Sequence, residues 1–196
     1  APGAPLRWLR ARRRPAATRW APRLRPSAGA TPHGRGGKST TTVNLGAALS
    51  RQGRKVLIID FDPQCSLTLL CGHKPWELPG NIYRVLLGQP RQALSDVIVP
   101  TTDQGLDLAP SGIDLARADM ELASAISRES YLKRAIQSLR RHYDYILIDC
   151  PPSLGILTIN ALTAADKLLV PVEPDYLAFE ATKLILDLTF RTIQET

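Results

Sequence analysis

The sequence predicts an α/β fold: a mainly parallel, twisted sheet with helices on both faces. Three observations carry this. Lys55-Val56-Leu57-Ile58-Ile59-Asp60, Tyr145-Ile146-Leu147-Ile148-Asp149 and Lys167-Leu168-Leu169-Val170-Pro171-Val172 are short apolar runs. Such continuous runs mark strands buried on both faces. Helical stretches separate them, and alternating strands and helices build parallel sheets. A Gly-Lys-Ser step, Gly37-Lys38-Ser39, opens the first helical run.

Taken in order, Lys38 to Gln52 reads as a helix stopped by Gly53. Residues 55–60 form the first strand after it, and Phe61 to Pro79 is loop-rich. Asn81 to Leu87 is a short helix, and Leu106-Asp107-Leu108-Ala109-Pro110 a strand. Ile113 to Ala125 is a weak helix. Glu129 to His142 is a stronger one, with Leu132, Ile136 and Leu139 on one face. Tyr145 to Asp149 is a second acid-ended strand, after which Pro151 and Pro152 break the chain. Leu157 to Ala165 is helical, 167–172 is a third buried strand, and Phe179 onward is a helix.

The 196 residues suffice for one domain with a real core. No apolar run is long enough to span a bilayer. Cys65, Cys71 and Cys150 form no close metal-type pair, which fits reduced thiols and a cytosolic setting. The three histidines are scattered, which argues against zinc.

The net charge of +7 is local. Residues 1–37 hold nine arginines and no acid, so the remaining 16 basic and 18 acidic side chains sum to −2. Residues 1–32 are mostly Ala, Pro and Arg with no apolar periodicity, and read as a disordered segment. Three readings compete: a basic arm for nucleic acid, a transit peptide, and non-native text from a frameshift ending near Gly36 or Gly37. The last leads, because Arg/Ala/Pro-rich text is what a GC-rich gene yields out of frame. Residues 33–196 then form the domain.

Ligands of open parallel sheets sit beyond the carboxyl ends of the strands. The glycine-rich loop, Asp60 with Asp62, and Asp149 converge there. Gly34, Gly36 and Gly37 let backbone amides close on phosphate, as in a P-loop NTPase. Lys38 brings charge, and Ser39 a hydroxyl for Mg²⁺. The acids stand where a Mg²⁺-nucleotide needs oxygen ligands and a water-positioning carboxylate. Blander readings stand beside these: a Pro63-stabilised turn for Asp60 and Asp62, a turn or capping acid for Asp149. Cys65 and Cys71 read as ordinary thiols. Lys133, Arg134, Arg140 and Arg141 read as a solvated helix face, and Arg191 as either surface or a DNA contact.

Residues 37–49, 56–64, 126–129, 143–155 and 157–162 together resemble the ParA/Soj partition ATPases. The signature stretches are Gly-Lys-Ser-Thr-Thr-Thr-Val-Asn-Leu, Val-Leu-Ile-Ile-Asp-Phe-Asp-Pro-Gln and Tyr-Asp-Tyr-Ile-Leu-Ile-Asp-Cys-Pro-Pro-Ser. The resemblance covers residues 36–196. The related MinD pattern has Ser-Pro-Ala-Gly where this chain has Cys-Pro-Pro-Ser. The resemblance implies an ATP-bound homodimer that binds DNA non-specifically, in the cytoplasm on the nucleoid, without a membrane. A ParB-type partner would stimulate hydrolysis. By position, Lys38 would hold the β- and γ-phosphates, Ser39 would ligate Mg²⁺ and Thr40 would touch the α-phosphate. Asp62 would orient the attacking water, Asp60 would support Mg²⁺, and Asp149 would be the Walker B acid. The family loop reads Lys-Gly-Gly-Val-Gly-Lys; here His33 replaces its first lysine and Arg35 a glycine. The expected domain lacks the family's first and last strands. A non-catalytic product, or an ATPase with another cargo, is the alternative.

Overall fold

The computed structural model describes residues 18–22, 37–88, 90–153 and 155–171. Their centre is a six-stranded sheet. Its strands are β1 Thr18–Pro22, β2 Val56–Asp60, β3 Val99–Pro100, β4 Leu106–Ala109, β5 Tyr145–Asp149 and β6 Lys167–Leu169. Their order is β3-β4-β2-β5-β1-β6. Every pairing is parallel except β3 with β4. The helices are α1 Lys38–Arg51, α2 Ser66–Leu70, α3 Ile82–Leu86, α4 Leu94–Val97, α5 Ala118–Glu121, α6 Tyr131–Ile136 and α7 Ile156–Ala164. No described helix is long and apolar enough to cross a membrane.

Side-chain alternation along β2 and β5 builds two cores. Leu57, Ile59, Ile146 and Ile148 face one layer, packed with Ile82, Leu86, Leu132, Ile136, Leu157 and Ala161 from α3, α6 and α7. Val56, Ile58 and Leu147 face the other, with Ala47 of α1 and Leu67 of α2. A strand buried on both faces cannot show polar alternation, so both runs read as continuously apolar.

The largest departure from the sequence expectation is β1. Residues 1–32 read as disordered and the first strand as missing, yet Thr18–Pro22 lies between β5 and β6, pairing parallel with both. The physical reason is the ladder. A slot between two parallel strands presents backbone groups on both sides, and an extended segment of almost any composition can pair with them. Pro22, which has no N–H to donate, stands at the strand's last position. The other residues of 1–32 and those from 172 onward, including the expected helix from Phe179 and Arg191, lie outside the described residues.

Smaller differences follow from packing. The third strand is only Lys167–Leu169, and it is half-exposed rather than buried, because it pairs on one side only in the described sheet. The expected helix over 113–125 is a 3₁₀ turn, Ile113–Arg117, running into α5. The helix over 129–142 divides into 3₁₀, α6 and 3₁₀ segments, although Leu132, Ile136 and Leu139 do share the buried face. The stretch from Phe61 to Pro79 contains α2, and α4 and β3 were not anticipated.

Gly46 lets α1 approach the sheet. A Cβ there would stand 2.9 Å from Leu106 Cδ1 and 3.1 Å from Ile58 Cγ2. Gly46→Ala gains helix propensity of up to about 1 kcal/mol and crowds the core at a cost of about 1–3 kcal/mol. The expected outcome is a net loss of stability in a urea unfolding curve with an unchanged slope. A more stable variant would show that α1 shifts freely.

Candidate nucleotide and metal site

The site forms at the carboxyl edge of β2 and β5. These strands pair in register, with Asp60 opposite Asp149. Alternation puts Asp60 on the face of Ile58 and Asp149 on the face of Leu147, the layer that α1 covers. The N-terminus of α1 therefore lies on the face of both acids, with Lys38 and Ser39 acting on Asp149. Gly37 is the N-cap of α1, at φ 65°, a left-handed conformation that suits glycine. It has no side chain to occupy the first amides of α1, which stay free to meet an anion. Lys38 and Ser39 are half-buried and Thr40 is exposed. Gly34 and Gly36, with His33 and Arg35, lie outside the described residues.

The acids differ in what holds them. Asp60 is fully buried. Its Oδ2 accepts hydrogen bonds from the Thr68 amide at 2.8 Å and the Thr68 hydroxyl at 2.6 Å. Its Oδ1 accepts one from the Asp62 amide at 3.3 Å. Asp62 Oδ1 accepts from the Gln64 amide at 2.9 Å. Asp149 is 1 % exposed, and neither of its carboxylate oxygens has a hydrogen-bond partner. Burial raises Asp149 to about 7, and the charges of Asp60 and Asp62 add to the rise. The Ser39 hydroxyl, the donor that approaches it without reaching full hydrogen-bond geometry, and the Lys38 charge oppose it. Burial likewise raises Asp60 to about 6, against the pull of Thr68.

A buried carboxylate without a partner is costly. A cation in front of it removes the cost, and the donors here are the hard oxygens that Mg²⁺ prefers. Among the described residues no three His, Cys, Asp or Glu side chains gather into a metal cage. That suits an ion held by one or two protein oxygens together with phosphates. Ser39, Asp149 and Asp60 thus fit Mg²⁺.

The structure brings Lys38, Ser39, Asp60 and Asp62 around Asp149. It adds Thr68 and Ser111, which sequence reasoning missed. Thr68 falls in a stretch that reads as loop, and no motif spacing marks Ser111. Cys65, next to the site, is buried, its thiol pushed up to about 11 by desolvation. None of the three cysteines is in a disulfide. Lys133, Arg134 and Arg141 are exposed, while Arg140 makes a 3.5 Å ion pair with Asp166.

A pH test follows from Asp149. Its folded-state pKa lies above the unfolded value of 3.8. The folded chain therefore binds this proton more tightly, and the associated stability is lost as pH rises through about 7. Asp149→Asn should melt close to wild type below about pH 4, and increasingly above it from there to about pH 7, without nucleotide. A difference independent of pH would show that Asp149 is already compensated.

Comparison with known proteins agrees with this geometry. The family model AAA_31, an AAA domain, matches residues 30–196. The sporulation initiation inhibitor protein Soj of Bacillus subtilis is 45% identical over 159 residues, 81% of this chain and 62% of Soj. A Mycobacterium smegmatis protein named cobyrinic acid a,c-diamide synthase, solved with bound ADP and magnesium, is 41% identical with a TM-score of 0.77. That match covers 91% of this chain and 67% of the other. A plasmid partition protein from Borrelia burgdorferi superposes with a TM-score of 0.70 at 27% identity, over 89% of this chain and 73% of the other. The chain thus spans about three fifths of the length of Soj. On the family match and the strand-end acids facing α1, the chain belongs to the AAA_31 family, as a ParA/Soj-type member of the MinD/ParA group.

Proposed function

We propose that the chain is the nucleotide-binding core of a partition ATPase that hydrolyses Mg²⁺-ATP. The observation that carries this is the partnerless Asp149 carboxylate, in register with Asp60 and facing the start of α1. The ADP and magnesium bound by the mycobacterial relative support it.

In this reading Lys38 holds the β- and γ-phosphates and Thr40 the α-phosphate. The amides at the start of α1, with Gly34, Gly36 and Gly37, close on phosphate oxygens. Ser39, Asp60 and Asp149 hold Mg²⁺. When bound, the ion supplies positive charge that offsets the charge developing on the phosphates. Asp62 orients the attacking water. Its Oδ1 is committed to the Gln64 amide, and the described hydrogen bonds leave Oδ2 for that water. Lys38 and the helix amides stabilise charge in the transition state.

At the level of the whole protein, the ATP-bound chain forms a homodimer on non-specific DNA, in the cytoplasm over the nucleoid. A ParB-type protein stimulates hydrolysis. The names of Soj and the Borrelia partition protein support chromosome or plasmid segregation as the cargo process. One sequence observation favours a second reading, a binding-only chain: His33 and Arg35 stand where the family has lysine and glycine.

Purified chain, assayed for ATP turnover with and without DNA, separates these readings. Lys38→Ala should abolish nucleotide binding. Asp62→Ala should bind ATP and lose about 100-fold or more in turnover. Turnover only in the His33→Lys/Arg35→Gly double variant would support the binding-only reading. No Mg²⁺-dependent nucleotide binding by any version would overturn the proposal.

A further inference from the structure

Behind the acids lies a buried hydrogen-bond network built on Thr68 and Ser111. Thr68 and Ser111 are both 0% exposed. The Thr68 hydroxyl donates to Asp60 Oδ2 at 2.6 Å and accepts from the Ser111 amide at 3.1 Å. The Ser111 hydroxyl donates to the Asp62 carbonyl at 2.8 Å. That carbonyl also accepts from the Cys65 amide at 2.9 Å, closing a turn in which Cys65 sits at φ 56°. A left-handed cysteine costs free energy and persists only where its surroundings hold it.

The donor inventory fixes the directions. A threonine hydroxyl has one proton, and here it goes to Asp60. One of its two lone pairs takes the Ser111 amide proton. Ser111 has one hydroxyl proton, and it goes to the Asp62 carbonyl. The network thus ties the end of β2, helix α2 and the segment leaving β4 into one arrangement. Asp60 is set by its side chain, and Asp62 by its main chain. Ile113, two residues beyond Ser111, is 85% exposed, so the same segment reaches the surface.

We infer that Thr68 and Ser111 are positioning residues for hydrolysis: Thr68 orients the Asp60 carboxylate, and Ser111 sets the backbone that presents Asp62. This rests on the ATPase reading above. A water-orienting carboxylate must be placed to a fraction of an ångström, and a 1 Å error costs about 100-fold in rate. The Ser111 hydroxyl holds the Asp62 carbonyl and bonds neither Asp60 nor Asp149, so its loss weakens turnover more than nucleotide binding. Thr68 acts on a residue of the proposed Mg²⁺ site, so its loss also weakens the metal dependence.

The test uses the full chain, with Ser111→Ala, Thr68→Val and Thr68→Ser. Steady-state Mg²⁺-ATP kinetics, fluorescent-ADP binding across a Mg²⁺ titration, and thermal melting are measured on each. Ser111→Ala should lower kcat about tenfold with KM and ADP affinity within about twofold. Thr68→Val should lower kcat by more and raise the Mg²⁺ needed for half-maximal ADP binding several-fold. Thr68→Ser, which keeps the hydroxyl, should restore both. Wild-type kcat in Ser111→Ala, or failure of Thr68→Ser to rescue, would overturn the inference while leaving the ATPase reading intact. A parallel fall of kcat, ADP affinity and melting temperature in Ser111→Ala would also overturn it, as a purely structural role. A wild-type chain that neither binds ADP with Mg²⁺ nor turns over ATP would remove the ATPase reading and the inference together.

Discussion

Two buried carboxylates sit side by side at the end of a sheet, and everything at the site depends on that. The in-register pairing of β2 and β5 puts Asp60 opposite Asp149 with almost no access to water. Burial raises the cost of ionising each, and neighbouring acids add to it, Asp62 for Asp60 and both Asp60 and Asp62 for Asp149. The chain resolves the conflict unequally. Asp60 receives the hydroxyl and amide of Thr68, while Asp149 receives no hydrogen bond. The unsatisfied member is the one nearest Lys38 and Ser39. In the proposed function, that asymmetry makes the strand end a place for a cation and a phosphate tail.

The surrounding frame serves this placement. Alternation along β2 and β5 decides which face each acid joins, and that is the face of α1. Gly46 brings α1 against Ile58 and Leu106, so the helix start arrives close to the sheet edge. The opposite layer, built on α3, α6 and α7, leaves β2 and β5 no solvated face, which makes the strand ends dry. In a dry site each charge and each dipole acts more strongly. Cooperation between the two layers therefore matters more to the chemistry than any one contact.

Much of this was legible in the sequence, for identifiable reasons. The apolar runs of β2 and β5 end in acids, and the Gly-Lys-Ser step precedes a helix. Those local signals placed Lys38, Ser39, Asp60, Asp62 and Asp149 at one edge before any coordinates. Thr68 and Ser111 were not legible. They are close to Asp60 and Asp62 only because α2 folds back and β4 pairs with β2, and no spacing encodes such long-range contacts. β1 was hidden for a different reason. Its place in the sheet is carried by backbone pairing, which composition does not reveal, and the Arg/Ala/Pro-rich text around it speaks against a strand. The short 3₁₀ segments flanking α6 also escaped, since apolar spacing marks the buried face and not the hydrogen-bond pattern.

In the proposed function, a divalent cation brought with nucleotide compensates the buried Asp149 carboxylate. The most direct test is electron paramagnetic resonance of Mn²⁺ in place of Mg²⁺, on wild-type chain and Asp149→Asn. The account predicts a protein-bound Mn²⁺ signal that requires ADP and weakens about tenfold or more in the variant. A bound signal of equal strength in Asp149→Asn would contradict it.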